Sequence, residues 1–231
     1  MDTVKSALQA VQARIATAIQ AAGREPGCVE LLAVSKTFPA AAVAAAANAG
    51  QRAFGESYVQ EALPKLAALR DLSLTWHFIG PLQRNKTQAV AQHFDWVHSV
   101  DRLIIAQRLN DARPASMPPL NICLQVNISE ETSKSGVTPA GLSALAHAVA
   151  ALPRLRLRGL MAIPRGGVDT ATQHAQFARL RALQTELITL DMPLDTLSMG
   201  MSDDLEIAIA EGATLVRVGS ALFGTRPIPT H

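Results

Sequence analysis

The sequence predicts an α/β protein built as a single closed (β/α)8 barrel, and three observations carry that prediction. Short β-type runs alternate with longer helical segments from Glu30 to the C-terminus. Eight such runs can be counted, the number a closed barrel requires. The first run leads into Ser-Lys-Thr-Phe-Pro, where a doubly wound open sheet usually carries a glycine-rich phosphate turn.

The elements follow in chain order. Val4, Leu8, Val11, Ile15 and Ile19 recur at helical spacing, and Gly23 ends that segment before Pro26, so an extra helix and lead-in over residues 1–29 precede a barrel over 30–226. The strand candidates are 31–35 (LLAVS), 52–54 (RAF), 75–79 (TWHFI), 96–98 (WVH), 121–127 (NICLQVN), 157–162 (LRGLMA), 196–199 (TLSM) and 214–218 (TLVRV). Helix starts are marked by Pro39, by Ser99 or Asp101, by Thr138 with Pro139, by Asp169 or Thr170, and by Ser202, since these residues suit the free N–H groups of a first turn.

With 231 residues, 48% of them hydrophobic and 17% charged, the chain has apolar material enough for one large core. A net charge of +2 gives no support to a nucleic-acid or polybasic membrane partner. Arg154, Arg156 and Arg158 alternate with leucines and read as a solvated lower rim. Cys28 and Cys123 have neither disulfide nor metal spacing; they read as a surface thiol and a core hydrophobe, and no metal site is expected. No apolar run approaches the ~18 residues of a membrane span or forms a signal-peptide core, so a cytoplasmic protein is expected.

In such a barrel the chemistry lies at the C-terminal ends of the strands, with phosphates favouring the loops after strands seven and eight. Lys36 ends the first run, where desolvation would favour the neutral amine needed for a Schiff base. Gly219 allows close backbone approach and Ser220 offers a hydroxyl at a helix start, while Gly200 and Ser202 occupy the preceding loop. A lysine facing a two-sided phosphate clamp points to a phosphorylated aldehyde held covalently. Arg217, in an otherwise apolar strand, needs a buried partner, either a structural carboxylate or an acceptor on a ligand.

LLAVSKTFP, FGESYVQEALPKL, HFIGPLQRNK, VNISEETSKSG, LSMGMSDDLE and VRVGSALFG occur in that order over residues 30–226. Together they resemble the YggS-type pyridoxal-phosphate homeostasis proteins. The resemblance implies a barrel like the alanine racemase N-terminal domain, carrying pyridoxal 5′-phosphate (PLP) as an internal aldimine on Lys36. It implies Arg217 opposite the pyridine nitrogen and Ser202, Gly219 and Ser220 around the phosphate. Met161, Met199 and His77 match strand-end positions near the cofactor. Ser57 stands where the family usually has Asn, so a hydroxyl replaces the amide at that position.

A racemase needs a second base, supplied in alanine racemase by a tyrosine from the partner subunit's C-terminal domain. Here the chain ends at His231 soon after its last strand, and Tyr58 is the one tyrosine. An arginine at the pyridine nitrogen also weakens the ring as an electron sink. The expected role is therefore a monomeric carrier that supports vitamin B6 and amino-acid homeostasis with little or no turnover and no catalytic residues of its own. Its candidate partners are PLP and PLP-dependent apo-enzymes. The alternatives are a low-efficiency PLP-dependent amino-acid racemase and a Schiff-base aldolase using Lys36. Lys134, in SKSG, is expected either to order its loop or to meet an acidic partner.

Overall fold

The structure, a computed structural model, describes residues 2–131 and 134–225. Eight strands, β1 (Glu30–Val34), β2 (Ala53–Glu56), β3 (Thr75–Phe78), β4 (Trp96–Val100), β5 (Leu120–Gln125), β6 (Leu155–Met161), β7 (Thr196–Ser198) and β8 (Leu215–Val218), pair in parallel in chain order. β8 returns to β1 and closes the barrel. Every predicted run is a strand, with ends displaced by two residues at most.

Around the barrel lie α2 (Ala40–Asn48), α3 (Val59–Ala68), α4 (Thr87–His93), α5 (Leu103–Ala112), α6 (Pro139–Ala150), α7 (Thr170–Thr189), α8 (Leu205–Ala210) and the single turn α9 (Ser220–Phe223). The extra helix α1 (Asp2–Ala21) packs along α2, α8 and α9 and so covers the side where β8 meets β1. Leu8, Val11, Ile15 and Ile19 are its buried stripe. Arg24, just beyond it, donates through Nη1 to the carbonyls of Ile209 and Ala213 at 2.8 and 2.7 Å, which ties the lead-in to the end of α8.

Two helix starts differ from expectation. Before α5 the capping position is Arg102, and Asp101 instead lies 3.6 Å from the Arg102 guanidinium. Before α8 the capping position is Asp204, whose carboxylate accepts the Met201 N–H at 2.6 Å. That bond closes a turn around Ser202 and leaves its hydroxyl outside the helix, within 3.2 Å of the Ser220 hydroxyl. The two other side-chain caps stand: Thr138 accepts from Gly141 and Asp169 from Thr172.

Residues in register on neighbouring parallel strands point to one side of the sheet. Leu32 pairs with Arg217, Gly55 with His77, His77 with Trp96, and Met161 with Ser198, which turns these side chains into the barrel. The interior is therefore partly polar. Leu32, Ala53 and Leu215 pack with Ile79 on one side, and His77, His98, Ser198 and Arg217 occupy the other. The main hydrophobic core fills the space between strands and helices. Cys123 is fully buried and its thiol is pushed up to about 12 by burial, so it is inert; Cys28 is half-buried against the core, not a surface thiol. Arg158, from the predicted lower rim, is drawn inward: it binds Asp195 through Nε and Nη2 and lies 4.7 Å above the Trp96 ring. Among the described residues, no helix is long and apolar enough to cross a membrane, and no His, Cys, Asp and Glu cluster could hold a metal ion.

Candidate functional site

A cavity of about 240 Å³ opens at the C-terminal ends of the strands. Lys36, Ser57, Ser202, Arg217, Gly219 and Ser220 line it together with Val34, Ile79, Ile163, Met201 and Asp203. Residues up to 186 positions apart in sequence, Val34 and Ser220, thus converge because the barrel closes β8 against β1. A larger cavity of about 730 Å³ lies at the opposite end, between α1 and the entries of β1 and β2. It contains none of the predicted residues, and the chemistry of a parallel barrel belongs to the C-terminal face.

Lys36 stands two residues past β1, half-buried, in a turn closed by the Phe38 N–H on the Ser35 carbonyl at 3.1 Å. The turn after β7 depends on Gly200, whose φ of +93° is left-handed and whose added Cβ would come 2.6 Å from that of Ala208. The Gly200 carbonyl in turn accepts the Arg217 N–H at 2.9 Å, which joins this loop to β8. At Gly219 a Cβ would approach the Val34 carbonyl to 3.2 Å, so the bare backbone keeps that wall of the cavity open.

Arg217 is buried, and its protein partners are backbone carbonyls and a hydroxyl, not the structural carboxylate that is one of the two expectations. Its Nη1 donates to the Ser198 carbonyl at 2.6 Å and hydroxyl at 2.9 Å, and Nη2 donates to the Ala162 carbonyl at 2.9 Å. Among the described residues no carboxylate forms an ion pair with it; burial pulls its pKa down to about 10, against the opposing charge of Asp204, so it stays charged at neutral pH. Three of five N–H groups are used in this way, which leaves donors for an acceptor in the cavity.

Ser198 extends the network downward. Its hydroxyl lies 2.8 Å from His98 Nδ1, and His98 Nε2 lies 2.9 Å from His77 Nδ1. Arginine only donates, so the Ser198 oxygen accepts from it while also bonding His98 Nδ1. One of the two facing nitrogens of His98 and His77 carries the proton they share, and among the described residues His77 Nε2 is buried without a hydrogen-bond partner. His77 stacks on Trp96 with centroids 5.2 Å apart. Burial lowers its pKa to about 3; burial, then His77 and Arg217, also hold His98 well below its usual range.

Both imidazoles are thus neutral in the fold but protonate near pH 6.5 when unfolded. A depressed histidine contributes stability that is complete above the unfolded value and is lost as pH falls toward the folded one. Urea midpoints are therefore expected to drop from about pH 7 to pH 5 and to continue falling toward about pH 3. An unchanged midpoint over the first of these intervals would contradict a neutral buried pair.

His77, Met161 and Met199 do not line the cavity. His77 and Met161 are buried inside the barrel, and Met199 belongs to the core between strands and helices. Tyr58 is half exposed, makes no capping hydrogen bond and lies outside the lining. Lys134 donates to the Pro164 carbonyl at 3.1 Å and lies 3.4 Å from the Glu131 carboxylate, joining the loops after β5 and β6.

The alanine racemase N-terminal domain model matches residues 6–227. The pyridoxal phosphate homeostasis protein of Pseudomonas aeruginosa is 65% identical over 226 residues, covering 98% of this chain and 97% of that one. Its Escherichia coli K12 counterpart is 53% identical over 98% of both chains. The chain belongs to the pyridoxal phosphate homeostasis protein family. Among solved structures, PipY of Synechococcus elongatus, determined with PLP bound, superposes with a TM-score of 0.80 at 43% identity, covering 91% of this chain and all of that one. Alanine racemase from Corynebacterium glutamicum, at 18% identity and TM-score 0.68 over 96% of this chain and 62% of that one, shares the fold.

Sequence reasoning about this family member missed His98, Ser198, Ile163 and Met201. A histidine and a serine inside otherwise apolar strands were the available signal for the first two, because a buried polar side chain demands a partner. Ile163 and Met201 sit in loops, where periodicity carries no information.

Proposed function

We propose that the cavity at the C-terminal face holds pyridoxal 5′-phosphate, joined covalently to Lys36, and that the protein carries this cofactor in support of vitamin B6 and amino-acid homeostasis with little or no turnover. One observation carries the reading: an amine, a charged arginine with N–H groups to spare, and two serine hydroxyls beside a glycine backbone converge on one small cavity. Its volume lies just below the ~300–1,000 Å³ typical of small-molecule sites, as suits a single ring with one phosphate.

The residues fit the group. Ser202, Ser220 and Gly219 would hold the phosphate, with the open wall at Gly219 giving its oxygens access to backbone. Asp203 also lines the cavity, but it is exposed, and solvent screens its repulsion of an anion. Arg217 would face the ring nitrogen, and being fixed and charged it donates there without surrendering a proton. Ser57 lines the cavity together with Lys36, while His77 and Met161 lie buried within the barrel, outside the lining. When bound, the cofactor supplies an aldehyde carbon that an amine can attack. Tyr58 lies outside the cavity, so no tyrosine is placed there as a second base, and the carrier reading is favoured over a racemase.

The visible absorption spectrum, recorded before and after borohydride reduction, tests the proposal. A yellow band that reduction abolishes, with the label on Lys36, is expected. Protein that stays colourless after incubation with PLP would overturn it.

A further inference from the structure

The backbone on both sides of Lys36 is held by one helix of the next barrel unit. On the N-terminal side, Lys65 of α3 donates to the Ser35 carbonyl at 2.8 Å and to the Glu56 carboxylate at 2.7 Å. The Ser35 hydroxyl donates to that same Glu56 oxygen at 2.7 Å. All three residues are buried, so the contact is shielded from water and geometrically tight. On the C-terminal side, Glu61 of α3 accepts the Thr37 N–H at 3.1 Å.

Thr37 needs such a hold. Its φ is +69°, a left-handed conformation that a β-branched residue adopts only under constraint. Released from Glu61, the turn would relax toward ordinary backbone and swing the residue before it. Glu56 also precedes Ser57 directly, so the Lys65 contact clamps together the two loops that bring Lys36 and Ser57 to the cavity.

We infer that Glu61 and Lys65 are positioning residues for Lys36: α3 fixes the turn from both sides so that the amine is presented to the cavity in a preset direction. The inference rests on the reading of that cavity as the site of covalent PLP attachment. Neither residue lines the cavity, so both act through the Ser35–Thr37 backbone.

Glu61 is exposed, so its substitution leaves the fold intact. The test uses full-length protein stripped of bound aldehyde and mixed with PLP, following the borohydride-trapped adduct on Lys36 with time and, separately, hydrogen exchange of the Thr37 amide. Glu61→Ala is expected to slow adduct formation about tenfold and to speed Thr37 exchange. Glu61→Gln keeps an oxygen acceptor while losing the charge, and both quantities should return toward wild type. Equal adduct rates in wild type and Glu61→Ala would overturn the positioning role, as would a Gln variant as slow as the Ala variant, which would assign the effect to charge. A wild-type chain that takes up no PLP at all would instead overturn the reading of the site on which the inference rests.

Discussion

Lys36→Ala protein incubated with PLP is expected to show no borohydride-reducible visible band and no label on any peptide of the cavity. The effect is all-or-none because Lys36 is the one lysine that lines the cavity. Lys65 is committed to Ser35 and Glu56, and Lys134 to the loops after β5 and β6. The remaining contacts survive the substitution: the Ser202 and Ser220 hydroxyls, the Gly219 backbone and the Arg217 guanidinium still meet a phosphorylated ring. Non-covalent retention should therefore persist, weakened at least tenfold, or about 1.4 kcal/mol. Equilibrium dialysis alongside the reduction assay separates the two contributions. A reducible band of wild-type intensity in Lys36→Ala would place the attachment elsewhere.

Lys65→Met is expected to lower the unfolding free energy by about 3–5 kcal/mol at neutral pH, because it removes one partner of a buried ion pair. Methionine keeps the apolar stem, so the loss is electrostatic. The Glu56 carboxylate would retain only the Ser35 hydroxyl, and its second oxygen is already buried without a hydrogen-bond partner. Burial holds the Glu56 pKa above its ordinary value, and the Lys65 contact works against that rise. Without the lysine the carboxyl rises further. An acid whose folded pKa is raised regains stability as pH falls through that value toward its unfolded one, so the gap between wild type and Lys65→Met should narrow in acid. Urea unfolding at neutral and mildly acidic pH measures both numbers. Adding Glu56→Gln to Lys65→Met should recover part of the loss, since a neutral amide is cheaper to bury than an unpaired carboxylate. A neutral-pH loss under about 1 kcal/mol would mean that the pair is solvated in solution.

Much of the architecture was legible in the chain. Short β-type runs mark the strands, helical spacing of apolar residues marks α1, and Thr138 and Asp169 cap where their types suggest. These signals are local: a hydrogen bond between a cap and the third residue beyond it depends on a handful of neighbouring dihedrals. The failures at Arg102 and Ser202 arose where a nearby side chain found another partner, Asp101 with Arg102 and Asp204 with the Met201 N–H.

The cavity residues were legible for a different reason. Lys36, Arg217, Gly219 and Ser220 are chemically out of place in a buried strand or a tight turn, and a barrel sends strand ends to one face. What no local signal could supply was the company they keep. Arg217 reads as a charge in need of a carboxylate or a ligand acceptor, and closure of the barrel gives it two carbonyls and a serine hydroxyl in place of the carboxylate, backed by two neutral histidines from β3 and β4. Ser198 and His98 are 100 positions apart, and Ser35 and Lys65 are 30 apart. The order of elements, the face on which the chemistry lies and the residue types available to it follow from the sequence alone, because propensity, periodicity and capping act within a few residues. Which polar groups satisfy one another inside the barrel, and how the turn bearing Lys36 is held, was decided only by the tertiary structure, because desolvation makes each buried donor take whatever acceptor the closed sheet brings within reach.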